Sequence, residues 1–135
     1  MKHLVLVGRL LFGALMLLNG ANHFFLHIYP EPVGHTPLAT QLMKALVDGW
    51  MLDVAMVIQL VTGALILVGV MVPVALCVVM PISVCAAFWA VILDHQPMGM
   101  LAALAVVGLN ALLCLAYIDY YRDMLQRRAL TFGEA

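Results

Sequence analysis

The sequence predicts an all-α fold: a polytopic membrane four-helix bundle running up-down-up-down, with a short amphipathic interfacial helix between the first and second spans. Three observations predict it. Of 135 residues 66% are apolar and only 13 are charged, 6 basic and 7 acidic, where a soluble domain carries charge on about a quarter of its residues. Mean hydropathy is +1.11, and the apolar runs reach the ~20 residues that a helix needs to cross a hydrocarbon core. None of the runs alternates with the period of two that marks a membrane barrel strand. Backbone groups in lipid must bond within their own segment, so runs of this kind are helices. Uniform composition makes residues 1–135 a single membrane domain. A net charge of −1 supplies no basic field, which argues against nucleic acid as a partner and leaves the lipid bilayer as the first one.

The first span covers about residues 4–25 and is interrupted by Arg9, Asn19 and Asn22. Lys2 followed by an apolar run has the general form of a signal peptide. Asn19-Gly20-Ala21 is a poor cleavage site, however, and the run exceeds a signal core of about 7–15 residues, so a retained span is expected. The second span, residues 50–72, carries Asp53 near its start, then Gln59 and Thr62. The third, residues 73–93, has Ser83 as its only hydroxyl. Pro81 in its middle lacks an N–H and frees the carbonyl of Cys77, which predicts a kink. Asn110 is the one polar side chain in the body of the fourth span, residues 97–118. Short connections make spans two, three and four antiparallel neighbours.

The longest connection, residues 26–49, holds Tyr29-Pro30-Glu31-Pro32, which proline keeps extended. Thr36-Pro37 then reads as a helix N-cap followed by proline at the first helical position. Leu38, Leu42, Ala45 and Leu46 recur at helical spacing opposite Thr40, Gln41, Lys44 and Asp48, which predicts a helix lying at the interface and ending at Gly49.

Five basic residues, Lys2, Arg9, Arg122, Arg127 and Arg128, lie toward the two chain ends, and Lys44 alone lies in the long connection. By the positive-inside rule both termini face the cytoplasm and residues 26–49 face outward, as expected for a multi-pass protein of a bacterial inner membrane. Phe24, Phe25, Tyr29 and Trp50 mark the outer interface, and Tyr117, Tyr120 and Tyr121 the inner one.

Gly8-Arg9-Leu10-Leu11-Phe12-Gly13 and Asn19-Gly20-Ala21-Asn22-His23-Phe24 in the first span, Pro30, Pro32 and Pro37 in the loop, the run Gln59 to Gly69 in the second span, and Val72-Pro73-Val74-Ala75-Leu76 leading to Met80-Pro81 in the third occur in an order that resembles the DoxX-like family of small four-helix membrane proteins. The similarity covers roughly Gly8 to His95. Members are named after a subunit associated with a terminal quinol oxidase and thiosulfate oxidation, and relatives accompany redox or cofactor-maturation systems. Many members carry a glutamate in the second span where this chain has Gln59. Redox-active relatives of the wider group carry a Cys-x-x-Cys pair, and Cys77, Cys85 and Cys114 form no such pair, which argues against a thiol-disulfide relay.

The candidate chemistry lies on the outward side. His23 and His27 are four apart, a spacing that puts two ligands on one helical face if the first helix continues that far; with His35 they form a candidate metal set for Zn or Cu, or one of them a haem ligand. Glu31, Asp53 and Asp94-His95 lie at similar depth. The alternative reading makes these histidines interfacial residues bonded to headgroups and water. Asn22, His23 and Gln59 form a candidate pocket for a quinone headgroup or small polar solute; the alternative is that Asn19, Asn22, Gln59 and Asn110 join helices by interhelical bonds worth ~0.6–2 kcal/mol each. Interfacial hydration accounts for Asp53, unless it lies beside His23, where it would polarise the imidazole. Arg9 can snorkel to the inner interface. Cys77 and Met80 are soft potential copper ligands, set against methionine as packing filler. The glycines lack a repeated four-residue spacing, which suggests close packing without naming a dimer face.

Two functions follow as expectations. The first is a non-catalytic accessory or structural subunit of a larger respiratory, photosynthetic or other redox complex, offering apolar faces to partner subunits. The second is an outward-facing metal-, haem- or quinone-binding protein. Transport is a third, and the lack of an intramembrane ion-coupling carboxylate weighs against a proton-coupled form of it.

Overall fold

The computed structural model describes residues 1–28, 30 and 33–125. Among the described residues six α-helices follow one another, α1 (Lys2–Ala21), α2 (Pro37–Asp48), α3 (Met51–Val68), α4 (Val72–Phe88), α5 (Pro97–Ala116) and the short α6 (Ile118–Tyr121), and a 3-10 turn at Arg122–Leu125 comes after them. No strand occurs among the described residues. One wide turn extends α1 through Asn22–Leu26 and another extends α4 through Trp89–Asp94, with i→i+5 bonding in each. Four helices of the described chain are long and apolar enough to cross a membrane: Lys2–Leu26, Met51–Val68, Val72–Asp94 and Pro97–Ala116.

The helices follow their sequence signals closely. Thr36 is extended, and its side chain accepts the Ala39 N–H at 3.2 Å, so α2 opens on a capped N-terminus with Pro37 at its first position. Gly69, in the left-handed region at φ +86°, ends α3, where L residues pay a steric cost. Pro81 lies inside α4 without breaking it. Tyr29, Glu31 and Pro32, like Arg127 and Arg128, lie outside the described residues, so the expected extended segment and much of the basic C-terminal cluster stand on sequence alone.

In the bundle α1 packs chiefly on α3, α3 on α4, and α4 on α5, and α5 returns to α1 to close the ring. The α1–α3 crossing depends on absent side chains. A Cβ on Gly63 would meet the backbone nitrogen of Leu17 at 2.5 Å, and one on Gly20 would meet Leu60 Cβ at 2.8 Å and the Met56 carbonyl at 2.9 Å. Lipid tails are as apolar as leucine, so helices in a bilayer gain little from burial alone, and backbone approach of this kind supplies the dispersion contact instead.

The two ends of the bundle are held differently. Toward the end that carries Met1 and residue 125, an apolar cluster joins Phe12 and Met16 of α1, Ile66 of α3, Val72, Ala75, Leu76 and Val79 of α4, and Leu113 of α5. At mid-depth the Asn110 amide donates to Ser83 Oγ at 3.1 Å, bridging α5 to α4, and Ser83 in turn donates to the Val79 carbonyl. This is the interhelical bonding expected of Asn110. Toward the opposite, loop end polar contacts take over.

Candidate functional site

Two imidazole–carboxylate pairs organise the loop end. The wide turn after Ala21 carries His23, whose Nε2–H donates to Asp53 Oδ1 at 2.6 Å; Asp53 stands in the first turn of α3. The His23 side chain is 13% exposed and that of Asp53 39%. Sequence spacing alone put them at similar depth, and antiparallel packing of α1 on α3 brings them into contact. The carboxylate holds the ring in one orientation.

The second pair joins the loop to the end of α4. The His35 backbone N–H donates to Asp94 Oδ1 at 2.5 Å, and His35 Nδ1 lies 3.1 Å from both carboxylate oxygens. Beside it Thr36 Oγ1 donates to the Leu93 carbonyl and Trp89 Nε1 to the Ala39 carbonyl at 3.0 Å. Asp94 is only 5% exposed. A carboxylate so enclosed needs donors on its oxygens, and the folded-back loop delivers two of them from one residue. These bonds seat α2 across the loop end, with its own Ala39 fully buried.

The candidate metal residues therefore part company. His23 belongs to Asp53 and His35 to Asp94. His27 is exposed and left-handed at φ 48°, just beyond the end of the helix at Leu26, so the one-face geometry expected of His23 and His27 does not arise. No group of three or more His, Cys, Asp or Glu side chains suited to a metal occurs among the described residues. Glu31 lies outside them.

The candidate pocket residues are also spread in depth. Asn22 is buried, and its Oδ1 accepts the Ile28 N–H at 2.7 Å, closing the end of the first span. Gln59 lies six residues further along α3 than Asp53, is 8% exposed, and its Oε1 has no hydrogen-bond partner among the described residues. A cleft of about 390 Å³ opens instead beside the His23–Asp53 pair, lined by Phe24, Trp50, Asp53, Val54, Val57 and Ile58. Trp50, left-handed at φ 63°, stands at its rim. Aromatic and branched walls with one carboxylate suit a flat, largely apolar molecule with a polar edge.

At the terminal end a second groove, about 240 Å³, is lined by Pro73, Val74, Cys77, Val78, Tyr120, Tyr121 and Met124. Tyr121 donates to the Pro73 carbonyl at 2.6 Å, and burial pushes its hydroxyl above the ordinary tyrosine range, so it is a neutral donor. Cys77 lines this groove while Met80 does not, which gives no support to a sulfur pair.

A family model described as DoxX matches residues 4–92, which is more than half of the chain and takes in nearly all of α1 and the whole of α2 to α4, with the His23–Asp53 pair and with His35 but not its partner Asp94. The chain belongs to the DoxX family. Four membrane-length helices in one bundle agree with that membership. Comparison with curated proteins and with solved structures returned no match.

The sequence reading missed the partnership of Asp94 with His35. Its signal was present: Asp94 is the first charge after an uncharged run from Asp53, and a lone carboxylate closing a span is either hydrated or tied down.

Proposed function

We propose that this DoxX-family chain is a non-catalytic accessory subunit of a larger redox complex in a bacterial inner membrane, with both chain ends in the cytoplasm. The observation that carries the subunit reading is Gly108. Glycine inside a helix costs about 1 kcal/mol relative to alanine. Gly13, Gly20 and Gly63 are accounted for by close contacts within the bundle, whereas a Cβ on Gly108 would meet nothing within 4 Å. Around it Leu101, Leu104, Leu112 and Leu115 of α5 are exposed. A helix of another subunit lying against this face explains both the missing side chain and the apolar surface. The redox setting rests on the family resemblance, and the orientation on Lys2, Arg9 and Arg122 at the terminal end against Lys44 on α2. The test is a Gly108→Leu substitution: the protein folds as before and loses its redox-active partner when purified in mild detergent.

A second reading is favoured by the cleft beside His23 and Asp53. There the chain would hold a quinone headgroup, with the imidazole–carboxylate pair at its polar edge and Phe24, Trp50 and Val57 along its apolar faces. A preparation without extractable quinone, from membranes rich in it, contradicts this reading.

A further inference from the structure

The terminal end holds a cation to which neither reading assigns a ligand. Arg9 lies on α1 level with the α3–α4 turn: its guanidinium nitrogens are 3.3 and 3.4 Å from the place a Cβ on Gly69 would occupy. That turn closes the bundle at one membrane face, so Arg9 stands near headgroup depth, on the side that also carries Tyr117 and Tyr120. Its Nε is sealed from solvent and has no hydrogen-bond partner among the described residues, and none of the ion pairs among those residues includes it.

A buried donor without an acceptor is rare enough in a folded protein to call for an explanation. The side chain as a whole is partly exposed, so the rest of this permanent cation is open to a ligand from the headgroup layer. The C-terminal carbonyls of α3 beside it supply about half a negative charge at most, which leaves the guanidinium undercompensated. The guanidinium lies against the Gly69 turn, where a Cβ would come within 3.5 Å of its Cζ and closer still to Nη1 and Nη2, so a glycine there leaves it room. A phosphodiester offers what is missing, a full negative charge and two oxygens for the terminal nitrogens Nη1 and Nη2, which unlike Nε are not sealed.

We propose that Arg9, braced on Gly69, seats the phosphate of an anionic phospholipid in the leaflet at the terminal end of the bundle. A lipid rather than a free phosphate is the source, because the residue stands in a membrane-spanning helix whose neighbouring exposed side chains, Leu6 and Leu10, are apolar. The proposal is independent of the accessory-subunit reading and of the quinone cleft at the other end.

The experiment reconstitutes the full chain into vesicles of equal phosphatidylglycerol and phosphatidylcholine, extracts it in mild detergent, and counts retained lipids by native mass spectrometry. Wild type should retain phosphatidylglycerol with about five-fold preference. Arg9→Gln should lose that preference, and Arg9→Lys, which keeps the charge without the fork, should retain part of it. Retention of the two lipids in proportion to their supply by wild type overturns the proposal without recourse to any variant. So does an undiminished preference in Arg9→Gln. Displacement of phosphatidylglycerol from wild type by millimolar inorganic phosphate overturns the lipid assignment.

Discussion

His23 and Asp53, thirty residues apart in sequence, meet at 2.6 Å and tie the end of the first span to the start of α3. The contact sits where the Gly20–Leu60 approach has already brought the two helices together, so the pair closes a junction that packing forms. Asp53→Asn keeps the shape and removes the charge; it should lower stability by about 1 kcal/mol, since the carboxylate is partly hydrated. His23→Ala should cost a similar amount. The double variant should cost clearly less than the sum, which thermal unfolding of all four proteins in one detergent measures.

The α1–α3 crossing is the most sensitive place in the apolar bundle. Gly63→Ala puts a methyl group 2.5 Å from the Leu17 nitrogen, an atom that cannot move without α1. The helices must separate, and a loss of about 1–3 kcal/mol is expected. Gly108→Ala, with open space around it, should instead stabilise the isolated protein by about 0.5–1 kcal/mol through helix propensity. Opposite signs for one chemical change, read by the same unfolding assay, separate the two kinds of glycine.

Much of this architecture was legible in the sequence, because lipid leaves so few options. Spans, order, the capped α2 and the Asn110 bond all follow from local rules: length, a Thr-Pro cap, a lone amide in hydrocarbon. The glycines at 13, 20 and 63 were visible as small residues, but their pairing was not, because it depends on how α1 rotates against α3. The loop end was the least legible part. His23, His27 and His35 read as one ligand set since residue type and spacing say nothing of a chain that turns left-handed at His27 or folds back to lay His35 on Asp94. Which carboxylate each of His23 and His35 reaches is set by how the chain folds back, and spacing does not carry that information.

The seating of α2 depends on Asp94. Asp94→Ala leaves the His35 N–H without its acceptor and removes the ring contact, while Trp89→Phe removes only the bond to the Ala39 carbonyl. Amide exchange across Pro37–Asp48 should rise at least ten-fold in Asp94→Ala, as befits the loss of a charged hydrogen bond worth about 1.5–3 kcal/mol. Exchange in α3 should stay near the wild-type level in the same variant. A smaller rise, confined to the first turn of α2, is expected for Trp89→Phe.

Burying an amide between α4 and α5 has a definite cost when its partner goes. Asn110→Leu removes the bond to Ser83 and should lower stability by about 0.6–2 kcal/mol, while Ser83 keeps its bond to the Val79 carbonyl. Denaturation with the chain held in micelles reads the difference.

Purification of the tagged wild-type chain and Gly108→Leu side by side in mild detergent, from the native membrane, tests the accessory-subunit account most directly. Wild type should elute as part of a larger assembly containing a membrane subunit with a bound redox centre, visible in its optical spectrum. Gly108→Leu should elute as the folded chain alone. Wild type running as a stable chain with no associated subunit, or Gly108→Leu retaining the redox-active partner undiminished, would contradict the account.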